Sequence, residues 1–343
     1  MRDISLYPKN AKPRLEWIDT LKLFAIFHIF LKHFVSSWHK GYSSFWGVPP
    51  VSWLLGGVSG KCCVAFLGVC LGYFAYKNSE KNSTIYIVKR YFYFFFCGLF
   101  INTLRMVLYA VGALDLSIVI DGYWNAVWLI ALESLKLGRK IFVTFWCILP
   151  FFVSSILAYL NGRVKVGIVG LLIQIAFCWI LNQVWIAVCM IGAVVAVFEK
   201  QGCIKKVANK WYVRIAVLLF ILIIIKRPEA DITYLIDGIC SGMLILLIMF
   251  WPQLQKALSI RIFSSQGKNH MAVFLIHTTV YNVIGKWLFS VFSFSEYLVS
   301  FVTVALCCWI INILLSYPLT YIFNKVMYFF TKLIEKHMAQ ISI

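Results

Sequence analysis

Residues 17–36 read WIDTLKLFAIFHIFLKHFVS, and these twenty positions decide the fold class. An α-helix rises 1.5 Å per residue, so a run of this length reaches about 30 Å, the thickness of a bilayer's hydrocarbon core. Its interior is apolar apart from Lys22, His28, Lys32 and His33. The residues before it are polar and basic (Arg2, Lys9, Lys12, Arg14), and no small-residue cleavage site follows. The run is therefore expected to stay as a first membrane span rather than leave as a signal peptide.

The same texture continues outward along the chain. Of 343 residues 62% are hydrophobic and 13% charged, against about 45–50% apolar in soluble domains, which excludes an ordinary soluble protein. The expectation is an all-α polytopic integral membrane protein with no soluble domain. Beyond 17–36, apolar runs mark spans near 51–76, 90–112, 141–161, 165–182, 184–199, 211–226, 233–251, 271–291 and 298–323, about ten in all. Residues 17–323 then form the transmembrane domain, between a basic N-terminus (1–16) and a basic tail (324–343), both expected in the cytoplasm.

Lys and Arg number 32 against 13 Asp and Glu, a net charge of +19. In a soluble protein that excess would point to nucleic acid, but in so apolar a chain it reports topology, because basic residues collect in cytoplasmic loops. Lys77, Lys81 and Lys89 with Arg90 fall inside on the ten-span scheme, as do Lys200 to Lys210, then Lys256 to Lys268, and Lys325 to Lys336. Lys136, Arg139 and Lys140 are left outside. A crossing at 117–138 would invert every later loop, so that segment is expected to be a re-entrant or surface helix. The eleven cysteines show no C-x-x-C pair and no metal-type spacing with histidine, so neither a disulfide framework nor a metal site is expected.

Ionisable groups within spans are costly and mark function by default. Lys22 and His33 lie eleven residues apart, which at about 100° per residue returns them to within roughly 20° of one helix face, about 16 Å apart along the axis. Asp19, one turn before Lys22, can hold the ammonium by an i,i+3 contact. The structural alternative is that Lys22 snorkels to the interface and His33 pairs with a neighbouring helix.

The stretch Arg14-Leu15-Glu16-Trp17-Ile18-Asp19-Thr20-Leu21-Lys22, followed by ten residues and His33, resembles the first span of the acyltransferase 3 family, membrane enzymes that O-acylate cell-surface glycans. The Trp-Ile-Asp-x-x-Lys form looks most like its stand-alone, fucose 4-O-acetylase-like branch. Further stretches resemble the family in order. Val64 to Phe74 matches an apolar second-span pattern, with Leu71 in place of serine before Gly72. Lys89-Arg90 matches a basic entry to the third span, with Tyr93 in place of its second arginine. Trp128 to Glu133 (WLIALE) matches Trp-Phe-Leu-x-x-Glu. Gly267-Lys268-Asn269 and Phe274-Leu275-Ile276-His277 match a Gly-Lys-x-Ser … Tyr-Leu-x-His run, with His270 where serine is usual.

The resemblance implies acyl transfer, most simply of acetyl from acetyl-CoA, to a sugar hydroxyl of a bacterial surface polysaccharide or its lipid-linked precursor. It places the chain in the inner membrane, with no permanently bound cofactor and no nucleic-acid partner. A hydroxyl needs a base to become a nucleophile, and imidazole titrates near neutrality without perturbation, so His33 is the expected base. Lys22, Lys89 and Arg90 are expected to hold the coenzyme A phosphates. His277 is expected to orient the acyl carbonyl or pair with His33, or else to be a histidine satisfied by a backbone carbonyl. Glu133 would polarise an imidazole or contact the sugar, or else pair with Lys136. Asp237 would orient His33 or bind acceptor hydroxyls, or else cap the loop at 227–232. Trp128 and Asp19 complete the expected substrate side, although interfacial aromatic belts also explain Tyr123, Trp124 and Trp128. The rival class is a glycolipid or small-anion transporter with Lys22, Arg90, His33 and Asp237 along its path.

Overall fold

The computed structural model describes residues 15–38, 60–80, 83–116, 120, 122–141, 147–202, 205–225, 231–292 and 297–341. Among them there is no strand. The helices are α1 (Glu16–Trp38), α2 (Gly60–Lys77), α3 (Ser83–Ala110), α4 (Tyr123–Leu135), α5 (Ile148–Arg163), α6 (Ile168–Ile180) and α7 (Val184–Gln201). After a helical turn at Lys205–Ala208 follow α8 (Trp211–Ile225), α9 (Asp231–Met249), α10 (Pro252–Leu258), α11 (Arg261–Gly267), α12 (His270–Val291) and α13 (Tyr297–Ile341).

Four of these, α3, α7, α12 and α13, are long and apolar enough to cross a bilayer, and a fifth path forms if α9 and α10 are taken together despite a bend of 103° between them. The protein is thus a multi-pass, all-helical membrane protein. The expected ten crossings go beyond these helices. At 13 residues each, α4 and α6 are shorter than the ~20 residues a straight crossing needs. The expected first span, 17–36, lies within α1, which is 23 residues long but carries Glu16, Asp19, Lys22 and Lys32. Residues 1–14 of the expected N-terminal segment lie outside the described residues.

The boundary expected at 323/324 falls inside a single helix, because α13 runs unbroken from Tyr297 to Ile341. Past the apolar stretch it stays docked on α3 through rings: Phe330 lies 5.5 Å from Phe92 and 4.7 Å from Phe96, centroid to centroid. An ion pair of 3.1 Å joins Lys89 to Glu335 along the same contact. The tail is therefore a continuation of the last helix, held by aromatic packing rather than separated from it.

Packing without a hydrophobic drive between helices favours small residues that let backbones approach, and α2 meets α7 in that way. A Cβ on Gly72 would overlap the Cys189 carbonyl, and one on Gly192 would overlap the backbone of Val69 and Tyr73. Where this seam ends, Lys77 closes it with Glu199 at 2.8 Å, and the Tyr73 hydroxyl donates to the same carboxylate at 2.8 Å. A second close approach sits at the start of the histidine helices. Gly267, which ends α11, lies against the backbone of Asp19 on α1. This contact brings the first turn of α12 beside Lys22.

Candidate active site

The two histidines expected from separate spans meet. His33 and His277 lie with ring centroids 5.5 Å apart and planes inclined by 39°. His277 is fully buried. Its Nδ1 donates to the Phe274 carbonyl one turn earlier, which leaves Nε2 as the lone-pair nitrogen of a neutral imidazole. That Nε2 is buried and has no hydrogen-bond partner among the described residues. The arrangement therefore presents an acceptor nitrogen, oriented from behind by its own helix, beside a second imidazole.

The pair stands at the end of a path. A cavity of about 210 Å³ opens between α1, α2, α3, α5 and the first turn of α12. Lys22 and Ile26 line it from α1, and His270, Met271 and Phe274 line it from α12. Continuing along each helix in the same direction, one reaches His33 two turns after Ile26 and His277 one turn after Phe274. The two helices thus lead from the cavity to the imidazoles.

Cations sit on aromatic shelves in the cavity wall. The Lys22 ammonium lies 4.9 Å from the Phe74 ring centroid and the Arg90 guanidinium 5.1 Å from that of Phe94, and both rings line the cavity. Lys22 also meets Asp19 at 3.6 Å, the i,i+3 contact that its spacing allows. Arg90 Nε is buried without a hydrogen-bond partner among the described residues. An apolar chamber with two charged groups at its wall suits an elongated ligand carrying negative charge at one end.

Over residues 15–313 the chain matches the Acyl_transf_3 family, described as an acyltransferase domain. The protein belongs to this acyltransferase family. No curated protein and no solved structure matches it. The match runs from the residue before α1 into the middle of α13, so it takes in both histidines and the whole cavity wall.

Other residues singled out from the sequence of this acyltransferase lie outside the cavity wall. Lys89 does not line the cavity and is held by Glu335 on α13. Glu133 is buried, and its carboxylate accepts the Lys140 backbone N–H at 2.9 Å. Gly138 packs against the same carboxylate. Glu133 therefore orders the loop after its own helix, and among the described residues it makes neither an imidazole contact nor an ion pair with Lys136. Trp128 is 68% exposed on α4, beside exposed Tyr123 and Trp124. Asp237 is buried in α9 and, like Lys32, acts electrostatically on Cys63 of α2. This brings it toward the end of α1 that carries His33.

One buried charge near the pair was not singled out. Arg105 of α3 donates from Nε to the Ile141 carbonyl at 3.3 Å and from Nη1 to the Thr279 hydroxyl at 3.5 Å, two residues beyond His277. One turn before it, Asn102 donates to Ser134 of α4 at 3.2 Å. These contacts tie α3, α4 and the loop at 141 to the histidine helix. An arginine inside an apolar run was the signal that could have found it, the same signal that drew attention to Lys22.

Proposed function

We propose that the acyltransferase takes an acetyl group from acetyl-CoA and delivers it to a sugar hydroxyl of a bacterial surface polysaccharide or of its lipid-linked precursor, with the inner membrane as its site. The observation that carries this reading is the meeting of His33 and His277 further along the two helices, α1 and α12, that line the cavity with Lys22 and His270, opposite Arg90 of α3. The two cations hold the phosphates of the donor. Its pantetheine arm runs inward along the Lys22–His33 face, past Ile26, so that the thioester carbonyl arrives beside the imidazoles.

In the reaction, His33 takes the proton of the sugar hydroxyl as its oxygen attacks the acetyl carbonyl. The tetrahedral intermediate collapses with cleavage of the C–S bond, and the imidazolium returns the proton to the departing thiolate. An ester and free coenzyme A result. His277 keeps the neighbouring lone pair in place to orient His33. General-base catalysis of this kind is worth about 10²–10⁴-fold. Ten spans with both termini cytoplasmic belong to the same reading, because a nucleotide-bearing donor is cytoplasmic and the basic clusters then fall on that side.

The deciding experiment is mass spectrometry of surface glycan from strains with and without the gene. The expected result is a loss of one acetyl mass per modified unit on deletion, restored by the wild-type gene and not by His33→Ala. Unchanged glycan, together with purified protein that neither hydrolyses nor transfers acetyl from acetyl-CoA, would overturn the donor and the acceptor alike.

A further inference from the structure

His270 lines the cavity with Lys22 and Arg90 and has no part in the mechanism above. It opens α12, the helix that also carries His277, and its Nδ1 meets the Gly267 carbonyl at 3.1 Å. The ring is thereby directed by the turn that packs on Asp19. We infer that His270 is a third, proton-dependent ligand for the anionic end of the donor. It clamps a phosphate between α12 and the cations of α1 and α3, so that donor affinity falls as pH rises through the imidazole range. The inference rests on the reading of this cavity as the donor site.

Three features support it. The cavity joins Lys22, Arg90 and His270 around one space whose remaining lining is largely apolar, so an anion entering it meets few other polar groups. The N-terminal turn of a helix favours negative charge, and here that turn belongs to a 22-residue helix. An imidazolium at that end, beside two further cations, is unfavourable until an anion arrives, which couples proton uptake to phosphate binding. Of the titratable and charged groups facing the cavity, Lys22 on α1, Cys70 on α2, and Arg90 and Tyr93 on α3 belong to types that titrate outside the range of about 5–8, and imidazole alone titrates within it.

The test uses coenzyme A itself as probe, titrated calorimetrically into the detergent-purified full-length protein at about pH 6 and about pH 8, with phosphate-free pantetheine as control. For the wild type, Kd for coenzyme A should rise about tenfold between the two, the scale of one charge-assisted hydrogen bond, and pantetheine should show no slope. His270→Ser and His270→Gln should each bind with one Kd at both pH values, close to the wild type's at the higher pH. Two neutral replacements of different size separate loss of charge from loss of shape. A slope that persists in both variants, or that is absent from the wild type, overturns the role of His270. Failure of the wild type to bind coenzyme A at either pH overturns the donor reading on which it rests.

Discussion

The α2–α7 seam and the α1–α12 contact are both close helix approaches, yet they are built from opposite materials. Along α2–α7 the contact is backbone on backbone, with Gly72 against Cys189 and Gly192 against Val69. Along α1–α12 it is made by rings: Phe34 meets Tyr281 and His33 faces His277, whose buried Nε2 has no hydrogen-bond partner among the described residues. Leaving a buried polar group unsatisfied costs about 1–3 kcal/mol. In the proposed mechanism that nitrogen has a use, because its lone pair is the group that orients His33. The seam is closed backbone on backbone, and the histidine contact leaves a polar atom unsatisfied.

That contrast can be broken most sharply at His33. His33→Ala should lower acetyl transfer at least 100-fold, within the range for loss of a general base, while the amount of membrane-inserted protein stays near wild type. More than about a tenth of the activity remaining would remove His33 from that role. Gly192→Leu should do the reverse. The added side chain meets backbone rather than a yielding side chain, so monodisperse protein recovered in detergent should drop several-fold, and any folded fraction should keep its turnover number. Full recovery with unchanged thermal stability would mean that the seam is not tightly packed.

A smaller effect is expected at the donor end, where Arg90→Gln should raise KM for acetyl-CoA about tenfold and leave kcat within about twofold, because a remote contact is made equally in ground and transition states. The smallest belongs to Lys89. Its partner Glu335 is 41% exposed and its own side chain 32% exposed, and such pairs contribute about 0–1 kcal/mol. Lys89→Gln should therefore shift KM less than about threefold. Equal KM effects at residues 89 and 90 would assign both side chains to the donor and remove the distinction drawn from their directions.

How far these features could be read in advance depended on the range of the rule involved. The Lys22–His33 face and the Asp19–Lys22 contact follow from helix periodicity, a local rule, and were legible in residues 17–36 alone. Breaks between apolar runs were legible where the turn chemistry is local too. Asn182, with φ 59°, divides α6 from α7 where two spans were expected to part. The directions of Lys89 and Arg90 were not, since neighbours in sequence point about 100° apart on a helix, and only the packing of α13 decides which one faces the cavity. The partner of Glu133 was not legible either, since the backbone N–H of Lys140 that it accepts lies seven residues on, past the end of its own helix. Arg105 acquires its meaning from Thr279 on a helix 174 residues away, a pairing that no window of sequence contains.

The contact of Gly267 with Asp19 has a mechanical consequence. It pins one end of both histidine helices, and the imidazoles lie further along them, about 21 Å from it on α1 and about 15 Å on α12 at 1.5 Å per residue. A change of about 5° in the angle between the helices would move the ring on the longer arm by nearly 2 Å, several times the ~0.5 Å range of hydrogen-bond lengths. The spacing of the two rings is set by that contact at one end and, beyond the imidazoles, by Phe34 against Tyr281 and Phe289, with ring centroids 6.2 and 6.1 Å apart. One methyl group at Gly267 becomes a wedge whose effect is felt four helical turns away.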